Sequence, residues 1–174
     1  MILVNALLFQ CLWFAAVLGA AGGLWWPALP ALAVLIAWCL RYSTWTRLDL
    51  RLMWVSAILG LVAESAFALT GVIDYATALP SESLAPFWIL LMWCGFGLTI
   101  NHSLWPLVRR PWTAALSGAV FGPLAYFGAA RLGAVDGFGL ATLETGLLIA
   151  AAWATCLTLL SVLASQWRRP EPTP

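Results

Sequence analysis

Two residues in this sequence stand where ionisable chemistry is costly. Glu64 lies in LGLVAESAFALTG and His102, the single histidine, in TINHSLWPL; both runs are otherwise rich in apolar side chains. A carboxylate in the middle of a membrane-length run costs about 2.5–3.5 kcal/mol or more, so it must be protonated, paired or wet. Such a group is a functional candidate by default. Glu64 and His102 are therefore the candidate catalytic pair, one acid and one base. Gln10, Asn101, Ser103 and Ser65 carry the nearby hydrogen-bonding groups. Counted from the flanking arginines, Glu64 lies roughly 20 Å and His102 roughly 10 Å from one membrane face, with Gln10 between them. The sequence predicts that these groups share one polar pocket open toward that face. The structural alternative is packing: Asn101 and His102 bond neighbouring helices, and Ser103 bonds back to the Thr99 carbonyl.

Other groups with chemical potential are sparser. Asp74, Arg131 and Glu144 are expected together at the opposite face, where Arg131 is the lone basic residue, as an interface ion pair or a head-group entrance. Cys11, Cys39, Cys94 and Cys156 stand alone in apolar runs, without a CxxC pair. With one histidine, this spacing points to no metal site, zinc or haem, and no cofactor; the thiols read as small apolar packing groups.

The elements that position these residues follow from composition. Of 174 residues 63% are hydrophobic and 9% charged, against about 25% charged in soluble domains. Long apolar runs must then face lipid. The expected fold is all-α: a polytopic membrane protein, a bundle of six transmembrane helices in one domain, residues 1–167, followed by a short disordered cytoplasmic tail, 168–174. The six segments are 3–21, 26–40, 52–72, 87–108, 112–132 and 140–165, with polar RYSTWTRLDLR and IDYATALPSESLAP between them. The N-terminus lacks a basic region, which argues against a cleaved signal peptide.

All eight basic residues are arginine, and seven fall on one side of this topology: Arg41, Arg47, Arg51, Arg109, Arg110, Arg168 and Arg169. The positive-inside rule places both termini in the cytoplasm of a bacterial inner membrane. Trp25, Trp26 and Trp88 mark the outer boundary, and Trp45, Trp54, Trp105, Trp112 and Trp167 the inner one. No basic run resembles a nucleic-acid footprint. The expected partners are membrane lipids and other membrane proteins. In the fifth segment Ala114, Gly118 and Gly122 recur every fourth residue, a spacing that lets two helices approach closely, and Pro123 predicts a bend.

NALLFQCLWFAAVLGAA, TINHSLWPL and GPLAYFGAARLGAV together resemble a small bacterial inner-membrane family catalogued as domain of unknown function 2878. The resemblance spans most of the chain. Its members carry an acidic residue followed by serine in the third segment, here Glu64-Ser65, more often with Asp in the first place. The family's genes often neighbour cyclopropane-fatty-acid-synthase-like genes, which implies a tie to membrane lipid or fatty-acid modification. Three functions follow from the sequence. The first is a lipid-active enzyme or enzyme partner with an acyl-sized pocket. The second is a small proton-coupled transporter, and the third a non-catalytic subunit or scaffold. No nucleophile–base triad or phosphate loop names a reaction.

Overall fold

The structure, a computed structural model, describes residues 2–168. Its order is α1 (Ile2–Ala21), α2 (Ala28–Tyr42), α3 (Thr46–Leu69), β1 (Ile73–Tyr75), α4 (Phe87–Gly97), α5 (Trp105–Val108), α6 (Pro111–Arg131), β2 (Val135–Phe138) and α7 (Thr142–Trp167). The fold is all-helical apart from one short ribbon. Four helices, α1, α3, α6 and α7, are long and apolar enough to cross a membrane. The other two apolar segments are helical but short: α2 has 15 residues and α4 has 11. At 1.5 Å per residue α4 is roughly 16 Å long, half the hydrocarbon thickness.

Large apolar side chains face outward along every long helix: Leu7, Phe14, Trp54, Ile58, Val62, Leu116, Phe121, Leu143 and Leu147 are all exposed. Such a surface suits lipid rather than water. The core instead gathers on α4, which packs against α1, α2 and α3, while α6 packs on α7. Trp88, expected at a lipid boundary, is buried here, and its indole donates to the Ala76 carbonyl at 3.1 Å.

Small residues set the closest approaches. A Cβ on Gly118 would stand 2.4 Å from the Trp153 carbonyl oxygen, and one on Gly97 2.5 Å from that of Leu52. The small-residue stripe of α6 thus meets another helix, α7, as its spacing predicts. Helix α6 runs unbroken through Pro123.

Two sequence-based boundaries shift. The polar segment 41–51 is a tight corner, because α3 starts at Thr46 and buries Asp49 within its first turn. The expected fourth helix stops at Gly97, continues as turns through Leu104, and resumes as the short α5. In those turns Leu98, Thr99, Ile100 and His102 bond three residues back rather than four. Irregular backbone at membrane depth needs partners from the protein. Asn5 supplies several: its Nδ2 donates to Leu98 O at 3.2 Å, and its Oδ1 accepts from Ser103 N at 3.3 Å and Ser103 Oγ at 2.7 Å.

At the other end β1 and β2 pair antiparallel, Ile73 with Phe138 and Tyr75 with Val135, with a bulge after Asp74. The loop that follows β1 is anchored by Thr77 Oγ1, which donates to Ala20 O at 2.8 Å. Of the tail expected at 168–174, Arg168 is described and is bonded to the bundle; residues 169–174 lie outside the described residues.

Candidate functional site

Glu64 sits on α3 five residues before its C-terminus and is fully buried. Its carboxylate is met only by donors. Trp93 of α4 gives its indole N–H to Oε1 at 2.7 Å, and Tyr126 of α6 gives its hydroxyl to the same oxygen. Tyr75 of β1 gives its hydroxyl to Oε2 at 2.5 Å. Two helices and the ribbon thus converge on one carboxyl group. Gly60, one turn before Glu64, makes the room: a Cβ there would lie 2.3 Å from Cγ of Trp93. Trp93 in turn stacks on Trp153 at 4.6 Å between ring centroids.

Beside this group lies a cavity of about 580 Å³, within the usual size of small-molecule sites. Helices α1 and α6 form its walls, and Trp93, Phe96 and Trp153 its floor. Tyr75 and Tyr126 close one end; Ser103 and Leu107 lie at the other. Gln10, Phe121 and Leu124 line it and are exposed, so it opens sideways between α1 and α6. Glu64 does not line the cavity; its three donors do. Anything bound there meets the carboxylate through a tyrosine hydroxyl, which can accept one proton while giving another. The Trp153 indole N–H is buried and finds no hydrogen-bond partner among the described residues.

His102 belongs to a different group. Its Nε2 stands 2.9 Å from Oδ2 of buried Asp49, and its ring meets Trp38 edge-on at 5.6 Å. Asn101 Nδ2 donates to Asp49 Oδ1 at 2.9 Å, and Ser43 Oγ to Oδ2 at 2.5 Å. Arg168 fixes Asn101 in turn, donating to its Oδ1 at 3.0 Å and its backbone oxygen at 2.7 Å. The guanidinium lies 3.7 Å from the Trp105 ring centroid, a cation–π contact. Cys39 of α2 approaches the same group: one ligand atom each of Cys39, Asp49 and His102 lie within 4.8 Å of one another.

The single polar pocket expected from the sequence is therefore two separate groups. The physical reason is the break after Gly97: its three-residue turns re-aim the polar run relative to an α-helix, and His102 Nε2 meets Asp49 of α3. Ser103 bonds Asn5 rather than the Thr99 carbonyl. Gln10 is exposed on α1 at the cavity mouth. Ser65 holds a loop, accepting from Ala85 N at 3.0 Å. Asp74, Arg131 and Glu144 are all exposed, and the pairing expected of Arg131 does not form. Among the described residues the only contact of a basic side chain with a carboxylate within 4.0 Å is His102–Asp49. Water solvates those three charges individually, which leaves little to gain from pairing.

Sequence reasoning missed Tyr75, Trp93, Tyr126 and Asp49. Nothing in the sequence ties the two tyrosines and the tryptophan to Glu64. Asp49 lies in a segment that the sequence marks only as polar. A signal did exist for the break: Gly95, Gly97 and Pro106 flank the polar run.

A family model described as "Protein of unknown function (DUF2878)" matches residues 2–159. No curated protein and no solved structure shows significant similarity to the chain.

Proposed function

We propose, for a chain that belongs to the DUF2878 family, that the lateral cavity takes the acyl part of a membrane lipid and presents it to the Glu64–tyrosine group. The observation that supports this is the shape of the cavity: apolar along its length, open between α1 and α6 toward the lipid-facing surface, and polar where Tyr75 and Tyr126 close it. A hydrocarbon chain enters such a cleft from the bilayer without crossing water, and burying it removes no hydrogen bond. An ester, hydroxyl or carboxyl group on the chain would find the two phenols.

In this reading Glu64 works through its donors. A ligand O–H gives its proton to the hydroxyl oxygen of Tyr126 or Tyr75 as that phenol passes its own proton to the Glu64 carboxylate, and the proton returns by the same path. This is acid–base chemistry by relay, suited to lipid modification. Gln10 and Ser103 orient the portion of the ligand nearer the arginine-rich end. The protein is an inner-membrane protein with six membrane-crossing segments and both termini in the cytoplasm, the α4–break–α5 segment serving as one crossing. The seven-to-one division of arginines supports that orientation.

Lipid retention tests the proposal. The protein is purified in mild detergent, and bound lipid is extracted and identified by mass spectrometry, for the parent and for Ala125→Trp, which fills the cavity from α6. The expected result is near-equimolar acyl lipid in the parent and a several-fold loss in the folded variant. Equal retention in both would remove the cavity from the function and leave the packing role of these residues as the better reading.

A further inference from the structure

We infer that Cys39, Asp49 and His102 form a binding site for a transition-metal ion, zinc being the best match. The sequence hides it, because these ligands stand 10 and 53 residues apart. The fold assembles them from the last turn of α2, the first turn of α3 and the break after α4.

Three observations carry the inference. The donor atoms, one each from a thiol, a carboxylate and an imidazole, already lie within 4.8 Å of one another. Bond lengths to zinc of about 2.0–2.3 Å put neighbouring donors of a tetrahedral site roughly 3.4–3.6 Å apart. The 2.9 Å His102–Asp49 contact therefore opens by roughly half an ångström and the sulfur draws in, changes that side-chain rotation can supply. Second, the donor set is mixed and soft. Sulfur and imidazole favour zinc over magnesium or calcium, which seek oxygen. Third, the carboxylate is held from outside: Asn101 and Ser43 donate to it, and Arg168 fixes Asn101. Metal ligands need such a supporting layer. The Arg168 charge offsets part of the negative charge that the thiolate brings.

Binding displaces the Cys39 thiol proton, and the proton on His102 Nε2 where present, to solvent; nothing is oxidised or reduced. Three protein ligands leave the fourth position to water, the pattern of zinc sites that do chemistry. The ion would also tie α2 and α3 to the irregular backbone around His102. This inference is independent of the cavity and its ligand.

Cobalt(II) is the probe. Purified, chelator-treated protein in detergent is titrated with Co²⁺ and followed by absorption. The expected result is near-equimolar binding with tetrahedral d–d bands and a thiolate-to-cobalt charge-transfer band, all displaced by Zn²⁺. Cys39→Ser loses the charge-transfer band, Cys156→Ser keeps it, and Asp49→Asn weakens binding at least tenfold. No cobalt spectrum in the folded parent protein overturns the inference, and so does a charge-transfer band that survives Cys39→Ser. Should Cys39→Ser fail to fold, Cys39→Ala provides the same readout.

Discussion

Tyr75 stands on a short ribbon outside the helices, yet its hydroxyl lies 2.5 Å from Oε2 of Glu64 on α3. That bond ties the ribbon to the interior of the bundle. With Trp93 and Tyr126 on the other oxygen, the carboxylate has an acceptor site for each donor. Glu64→Leu strands all three donors. At roughly 0.6 kcal/mol per bond in a membrane, the loss is roughly 2 kcal/mol. Glu64→Gln is expected to stay within about 0.6 kcal/mol of the parent. Its carbonyl oxygen can serve Trp93 and Tyr126, while its amide donates to the Tyr75 hydroxyl, which also accepts. Thermal melts in detergent decide the matter; equal losses for Leu and Gln would show that the bonds do not hold the fold.

A second prediction separates two glycines one turn apart. A Cβ on Gly118 meets Trp153 backbone at 2.4 Å, while one on Gly122 meets the Trp153 side chain at 2.7 Å. Backbone cannot step aside without parting the helices, whereas a ring can tilt. Gly118→Ala is expected to lose about 1–3 kcal/mol and Gly122→Ala less. Gly22→Ala, whose nearest neighbour would be 3.5 Å away, should change little. The same melts order the three variants, and the reverse order for Gly118 and Gly122 would mean that α6 and α7 do not touch backbone to backbone.

The third prediction concerns orientation. Alkaline phosphatase fused after Ser81, in the loop following β1, should be active, and a green fluorescent protein at the C-terminus should fluoresce. Both follow from the arginine split, which puts Arg41, Arg47, Arg51, Arg109, Arg110 and Arg168 at the end opposite the ribbon. A silent phosphatase at Ser81 alongside a dark C-terminal fusion would invert the topology.

Much of this architecture was legible in the sequence, and the reason is solvent. Runs such as 3–21 and 140–165 have too few charges for water, so their helical nature follows from composition. The Gly118–Gly122 stripe declared its contact by spacing alone. Glu64 was legible as a buried group because its cost is local to its own segment. What surrounds it was not. Tyr75 and Tyr126 reach it from 11 and 62 residues away, and nothing in an isolated aromatic residue says which carboxylate it serves. Asp49 was hidden by its neighbours Arg47 and Arg51, which make the segment look solvated. The helix break failed for a similar reason. Hydropathy averages over the window and cannot see that Asn5, far away in the chain, holds the backbone at Leu98 and Ser103.

The pairing of β1 with β2 also sets a timetable for synthesis. Val135 leaves the ribosome about 60 residues after Tyr75, its partner in the ribbon. At about 5–20 residues per second, that delay is roughly 3–12 s. Trp93 emerges early in the interval and Tyr126 near its close. For those seconds the nascent third helix carries Glu64 with an incomplete set of donors, so the carboxyl group has to be protonated or keep contact with water. The last donors are thus delivered by α6, which brings Tyr126 and, just behind it, the strand that seats Tyr75, before α7 packs onto α6.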